Sequence, residues 1–182
     1  MPLSREQVLN FDGLYRARYN LLDDMASAAA HSARARGHLA LNEFLAIATW
    51  KLASSGSTAF EQATEREVVE HSRAAFAAHQ DDLTALHHLD QIRGIGFRAA
   101  TAIMHITFPE HYPMLDQRAM RSLGLSQTQV DSLIADDANL RTYWPEYAQA
   151  CRTLAKTLDV TLRQLDRALW WSDLTNPKSS PS

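Results

Sequence analysis

The sequence predicts an all-α protein. Glycine and proline number only six each in 182 residues, few for a β-rich chain. Alanine, leucine, arginine and glutamine, all good helix formers, are common. Apolar residues recur at helical spacing over long stretches without turn signals, and no strand-like alternation lasts more than a few residues.

The elements follow from start and stop signals. Ser4-Arg5-Glu6-Gln7 is a capping box that opens a helix. Val8, Phe11, Leu14, Tyr15, Leu21 and Leu22 give that helix an apolar side, and it is expected to reach Ala28–Ala30. Arg36-Gly37-His38 is a break. A second helix begins near Leu39, carries Leu41, Phe44, Leu45, Ala48 and Leu52, and ends before Ser54-Ser55-Gly56-Ser57. A third is expected from Phe60 to Ala78. Asp81-Asp82 caps the helix that bears Leu83, Leu86 and Leu89, and after Gly94-Ile95-Gly96 another carries Phe97, Ala100, Thr101, Met104 and Phe108. Ser126-Gln127-Thr128-Gln129 and Thr161-Leu162-Arg163-Gln164 are further capping boxes, the second leading into LDRALWW. Residues 175–182 read as a polar, disordered tail.

Composition narrows the function classes. At 46% hydrophobic, one ordinary domain with a real core is expected. No apolar run approaches membrane-span length and MPLSREQ lacks a signal-peptide core, so a cytoplasmic protein with no membrane partner is expected. A single cysteine, Cys151, excludes an intrachain disulfide and a cysteine-ligated iron–sulfur cluster. The net charge of −3 argues against indiscriminate nucleic-acid binding, but the charge is unevenly spread. Glu61 to Asp90 holds seven acids and two arginines, net −5, whereas Gln91 to Arg121 holds Arg93, Arg98, Arg118 and Arg121 against Glu110 and Asp116, net +2.

That basic island contains the stretch that speaks about chemistry, Leu89 to Leu123. Two glycines around one apolar residue let the chain reverse tightly and leave backbone N–H groups pointing outward, a geometry suited to a phosphate. A proline-flanked loop then leads to Asp116. At the start of the helix DQRAMRSL, Asp116 would be kept ionised by the helix dipole, which suits a charge stabiliser or base rather than a general acid. An ordinary N-cap has the same appearance, and Gly94 and Gly96 also suit a plain turn between helices.

Ile92-Arg93-Gly94-Ile95-Gly96, then Ala99-Ala100-Thr101-Ala102, then Pro113-Met114-Leu115-Asp116, resembles the helix-hairpin-helix superfamily of DNA base-excision glycosylases. The separation from Gly94 to Asp116, 116 − 94 = 22, is that of an endonuclease III-like arrangement. The likeness covers roughly 35 of 182 residues. It implies a single glycosylase-like domain over residues 1–174. One lobe would span 39–139, with the hairpin at 81–108; a second would combine 4–30 with 140–174. It further implies DNA as partner, held at its backbone by Gly94, Ile95, Gly96 and Arg98. Asp116 would be catalytic in the cleft between the lobes, cleaving the N-glycosidic bond of an extruded nucleotide. Arg98 stands where bifunctional members carry a nucleophilic lysine; a guanidinium is not an amine nucleophile, so lyase chemistry there is excluded. Arg93 stands in place of the family's usual proline. No cofactor is implied.

Trp50, Lys51, His111, Tyr112 and Arg118 are candidates for lining such a cleft. Trp50 suits stacking on a base or packing in a core, and Lys51 suits a phosphate. His111-Tyr112, between Pro109 and Pro113, suits proton transfer or a base pocket, or simply packing of the loop. No Cys/His/carboxylate set has zinc-site spacing, and no metal is expected. Trp144, Trp170, Trp171, Tyr143 and Tyr147 suggest an aromatic core under the last helices, or an interface at Trp170-Trp171. Two alternatives to the enzyme stay open: a DNA-binding or assembly module that keeps the hairpin without catalysis, and an all-α protein-interaction domain.

Overall fold

The computed structural model describes residues 3–52 and 56–175; Thr175, expected to begin the tail, is helical, while the rest of that tail and the Ser54-Ser55 break lie outside the described residues. The described residues are all-helical. The helices are α1 (Arg5–Arg36), α2 (Leu41–Leu52), α3 (Glu65–Ala77), α4 (Asp82–Leu89), α5 (Phe97–Thr107), α6 (Gln117–Ser122), α7 (Gln127–Ile134), α8 (Asp137–Leu158) and α9 (Leu162–Thr175). Among the described residues no helix is long and apolar enough to cross a membrane.

The caps behave as their sequence motifs require. The Ser4 hydroxyl accepts from Gln7 N while Gln7 Oε1 accepts from Ser4 N, and Ser126 with Gln129 and Thr161 with Gln164 do the same. Asp81 accepts from Thr84 N. Two boundaries move. α1 runs on past Ala30 to Arg36, because nothing from Ala28 to Ala35 disfavours a helix; Gly37, at φ 85°, then ends it with its N–H on Ala33 O. The expected helix from Phe60 is split. A 3-10 turn at Ala59–Gln62 precedes α3, and Thr64 opens α3 through a capping box with Glu67.

The described residues divide into two compact units, one within 3–20 and 109–175, the other within 21–108. Residues 109–139, expected in the hairpin lobe, thus belong with the terminal segments. In the first unit α6 packs on α9, and α7 and α9 both pack on α8. Its start is tied to its end by Asp12, which takes Arg167 Nη1 at 3.0 Å, and by Trp170, whose ring meets Tyr15 and Tyr19 edge-on.

In the second unit α5 is the central helix, buried at ten of its eleven residues. Ala99, Ala100 and Ala102 let α2 and α4 approach it closely. Its threonines turn their hydroxyls back onto their own helix, Thr101 donating to Arg98 O and Thr107 to Ile103 O. Phe108 ends the unit with His79 stacked on its ring at 4.8 Å and Arg34 over it at 4.8 Å.

The bend between α4 and α5 depends on Gly94. Its φ is 78°, and a Cβ there would lie 2.2 Å from Phe60 N and 2.5 Å from Ala59 C. Gly37 has a similar φ with nothing within 4 Å of a Cβ. Gly94→Ala is therefore expected to lose about 2–4 kcal/mol, from left-handed strain plus the clash, and Gly37→Ala only about 1–2 kcal/mol. Denaturant midpoints of the two variants measure the difference; equal losses would mean the contact with the Phe60 backbone is easily relieved.

Candidate functional site

The first group of candidate residues sits where α5 reaches the surface. Gly94 and Gly96 are exposed, while Ile95 between them is buried and spends its N–H on Ile92 O at 3.0 Å. Gly96 is the N-cap of α5 and offers no side chain to the first-turn amides, which have no acceptor within the helix. A helix buried along almost its whole length thus begins at an exposed glycine that contributes no side-chain cap, with the partial positive charge of its N-terminus at that end. Arg98, in the first turn, is half-buried, and its Nε is buried with no hydrogen-bond partner.

Arg93 is engaged on the side of the turn before α3. It donates to Gln62 O at 3.1 Å and pairs with Glu67 Oε1 at 3.3 Å. Glu67 is held below the usual carboxylate range, first by the Thr64 backbone and hydroxyl and further by Arg93. The turn before α3 thereby braces the bend from one side.

Asp116 lies in the other unit. It is half-buried, in extended backbone conformation, and caps α6, its Oδ1 accepting from Arg118 N at 2.9 Å. The loop that delivers it is packed by α8. Tyr112 is fully buried with its ring stacked against Trp144, at 6.4 Å and 22°. Arg152 Nε donates to His111 O at 2.8 Å, and Tyr147 Oη donates to Met114 O at 2.7 Å. Burial drives the Tyr147 phenol well above its ordinary range, with Cys151, then Asp166 and last Asp116 adding to it. Beneath the loop, Pro113, Met114, Tyr147, Cys151, Leu162 and Leu165 line a crevice too tight to admit water. It is a packed seam rather than a base pocket.

The helix that Asp116 begins is held from α9. Asp173, 5% exposed, receives Arg121 through Nε at 2.9 Å and Nη2 at 2.6 Å, and Arg118 through Nη1 at 3.2 Å. Arg118 also lies over the Trp170 ring at 5.1 Å. The bond to Asp173 raises Arg121 further above its already high range. Ser122 Oγ donates to Leu169 O at 2.6 Å.

The basic island is therefore mostly neutralised within the fold: Glu67 takes Arg93, and Asp173 takes Arg118 and Arg121. Of its four arginines, Arg98 alone pairs with no carboxylate among the described residues. Trp50 and Lys51 are half-buried at the end of α2, and His111 is half-buried with its ring 4.8 Å from that of Tyr112. Among the described residues no group of three or more histidines, cysteines or carboxylates is placed to hold a metal ion.

Sequence reading missed Asp173, Tyr147 and Arg152 as the groups that hold the Asp116 segment. One signal was there to be used. Leu162, Leu165, Asp166, Leu169 and Asp173 share one helical face, so two acids on an apolar stripe demand buried cations. Compared with known proteins, the chain matches no family model, no curated protein and no solved structure.

Burial also pushes the Cys151 thiol up to about 12. The unfolded thiol ionises near 9, so from there upward the unfolded chain sheds a proton that the folded one keeps. Stability is thus complete below pH 9 and falls as pH rises toward 12, and the raised Tyr147 acts in the same direction. Denaturant midpoints taken stepwise from pH 8 to pH 11 should decline, and Cys151→Ala should flatten the early part of that decline. At pH 8 Cys151 should react with a thiol reagent only at the unfolding rate; rapid labelling of the native protein would contradict its burial.

Proposed function

We propose that this chain is a DNA-binding protein of the helix-hairpin-helix glycosylase kind. On this reading the α4–α5 bend holds a DNA phosphate and Asp116 serves hydrolysis of an N-glycosidic bond. The observation that carries it is the emergence of α5. Buried at ten of eleven residues, it meets solvent at an N-terminus capped only by a glycine, with Arg98 in the same turn. The partial positive charge of a helix N-terminus and a guanidinium fork in the same turn together match a phosphate.

The chemistry assigned to Asp116 follows from the reaction. Breaking the bond to a base leaves positive charge on the sugar, which a carboxylate stabilises, and the same group can orient the attacking water. Extrusion of the nucleotide from the stack precedes this step. Arg98 has no amine to form an imine with the sugar, so the product is an abasic site with an intact strand. A second reading is favoured by the bond from Arg118 N to Asp116 Oδ1: an aspartate that only caps α6 leaves a non-catalytic DNA-binding module.

The two readings are separated by incubating the protein with duplexes carrying uracil, alkylated, oxidised or mismatched bases. For the enzyme, wild type releases base from one of them and Asp116→Asn slows release at least about a hundredfold. Salt-sensitive DNA binding with no base released from any duplex identifies the module. Arg98→Glu should weaken binding about tenfold at low salt and flatten its salt dependence; unchanged affinity would remove the bend as the docking site.

A further inference from the structure

We propose that Asp173 is a positioning residue for Asp116, acting through the two arginines of α6. The inference rests on the glycosidic role proposed for Asp116 and extends it to the group that sets the orientation and electrostatic surroundings of that carboxylate. Asp116 Oδ1 is bound to Arg118 N, at the first turn of α6. From the same short helix the side chains of Arg118 and Arg121 leave toward α9, where Asp173 takes one nitrogen of the first and two of the second.

The charged and titratable groups around this point come from every element packed there. They are Arg118 and Arg121 on α6, Asp131 on α7, Tyr147 and Cys151 on α8, and Asp166 and Asp173 on α9. Asp116 and Asp131 both act electrostatically on Arg121, and Asp116 acts on Tyr147. Both guanidiniums thus leave the six-residue helix that Asp116 caps, and Asp173 is the buried anion that pairs with both.

Without that anion, the Arg121 guanidinium, which Asp116 feels, would be offset by Asp131 alone. It would stabilise the ionised form of Asp116, weaken it as a base, and draw its negative charge away from a positively charged sugar. A hydrophobic residue would fill the place of Asp173 with less desolvation cost, but it would not supply this compensation. The Asp173 charge therefore has a role beyond packing α6 against α9.

The test is a carbon-13 titration of the Asp116 carboxyl, assigned by its loss in Asp116→Asn, which requires neither DNA nor turnover. Asp173→Asn should lower the midpoint by about half to one pH unit. Arg121→Gln should raise it by a similar amount, and the double variant should return toward wild type. A pairing that only packs the helices would not give opposite shifts that cancel. An unmoved midpoint in folded Asp173→Asn overturns the proposal. If that variant does not fold, Arg121→Gln decides alone, and an unmoved midpoint there is equally fatal. On any lesion the protein processes, the acid limb of kcat should move with the carboxyl midpoint. If no lesion is processed the glycosylase reading falls, while the titration still tests the electrostatic link.

Discussion

The placement of Asp116 depends on a buried carboxylate more than fifty residues away in the chain. α6 has six residues, too few to persist as a helix in water without help from its surroundings. Its own apolar contribution is Ala119 and Met120. The rest comes from α9, through Asp173 on two guanidiniums and Leu169 O on Ser122. Burying Asp173 is unfavourable on its own, and the two-pronged contact with Arg121 is the geometry that offsets desolvation best. With α6 undocked, Asp116 would have no helix to cap.

The bend at Gly94–Gly96 is held by a different kind of constraint. Here the decisive contact is the absence of a side chain. Gly94 adopts a backbone conformation that L residues rarely take, with its open side against the backbone at Ala59 and Phe60. The 3-10 turn pressed against it also accepts from Arg93. Arg93 braces the bend further through a long side chain that reaches Gln62 and Glu67, part exposed and adjustable. One unit thus relies on a buried charge, the other on a steric near-contact.

Local signals were legible and long-range ones were not. The boxes at Ser4, Ser126 and Thr161 each involve residues three apart, so chemistry and spacing sit in one short window. The box at Thr64 and Glu67 is equally local, yet the expectation of one helix from Phe60 to Ala78 passes over it. Asp116 was recognisable as a cap for the same reason. Its supports were not. Tyr147 reaches Met114 across 33 residues, Arg152 reaches His111 across 41 and Arg121 reaches Asp173 across 52, and nothing in helical periodicity pairs such positions. The basic island shows the same limit, since counting charges along the chain cannot reveal which of them the fold has already matched.

That matching bears on how this protein would meet a polyanion. With a net charge of −3 and three of the four island arginines held by internal acids, little long-range field remains to draw in DNA. What remains is the end of α5 with Arg98, and a helix terminus acts only within about its first turn. On the proposed function, recognition is therefore a matter of fit at contact distance. Shape and deformation would count for more than attraction, and a nucleotide already loosely stacked would be the least costly to extrude. Arg98 fits this arrangement twice over. Its planar fork is suited to a phosphate at the mouth of the helix, and its permanent charge closes the imine route that a lysine in the same turn would open.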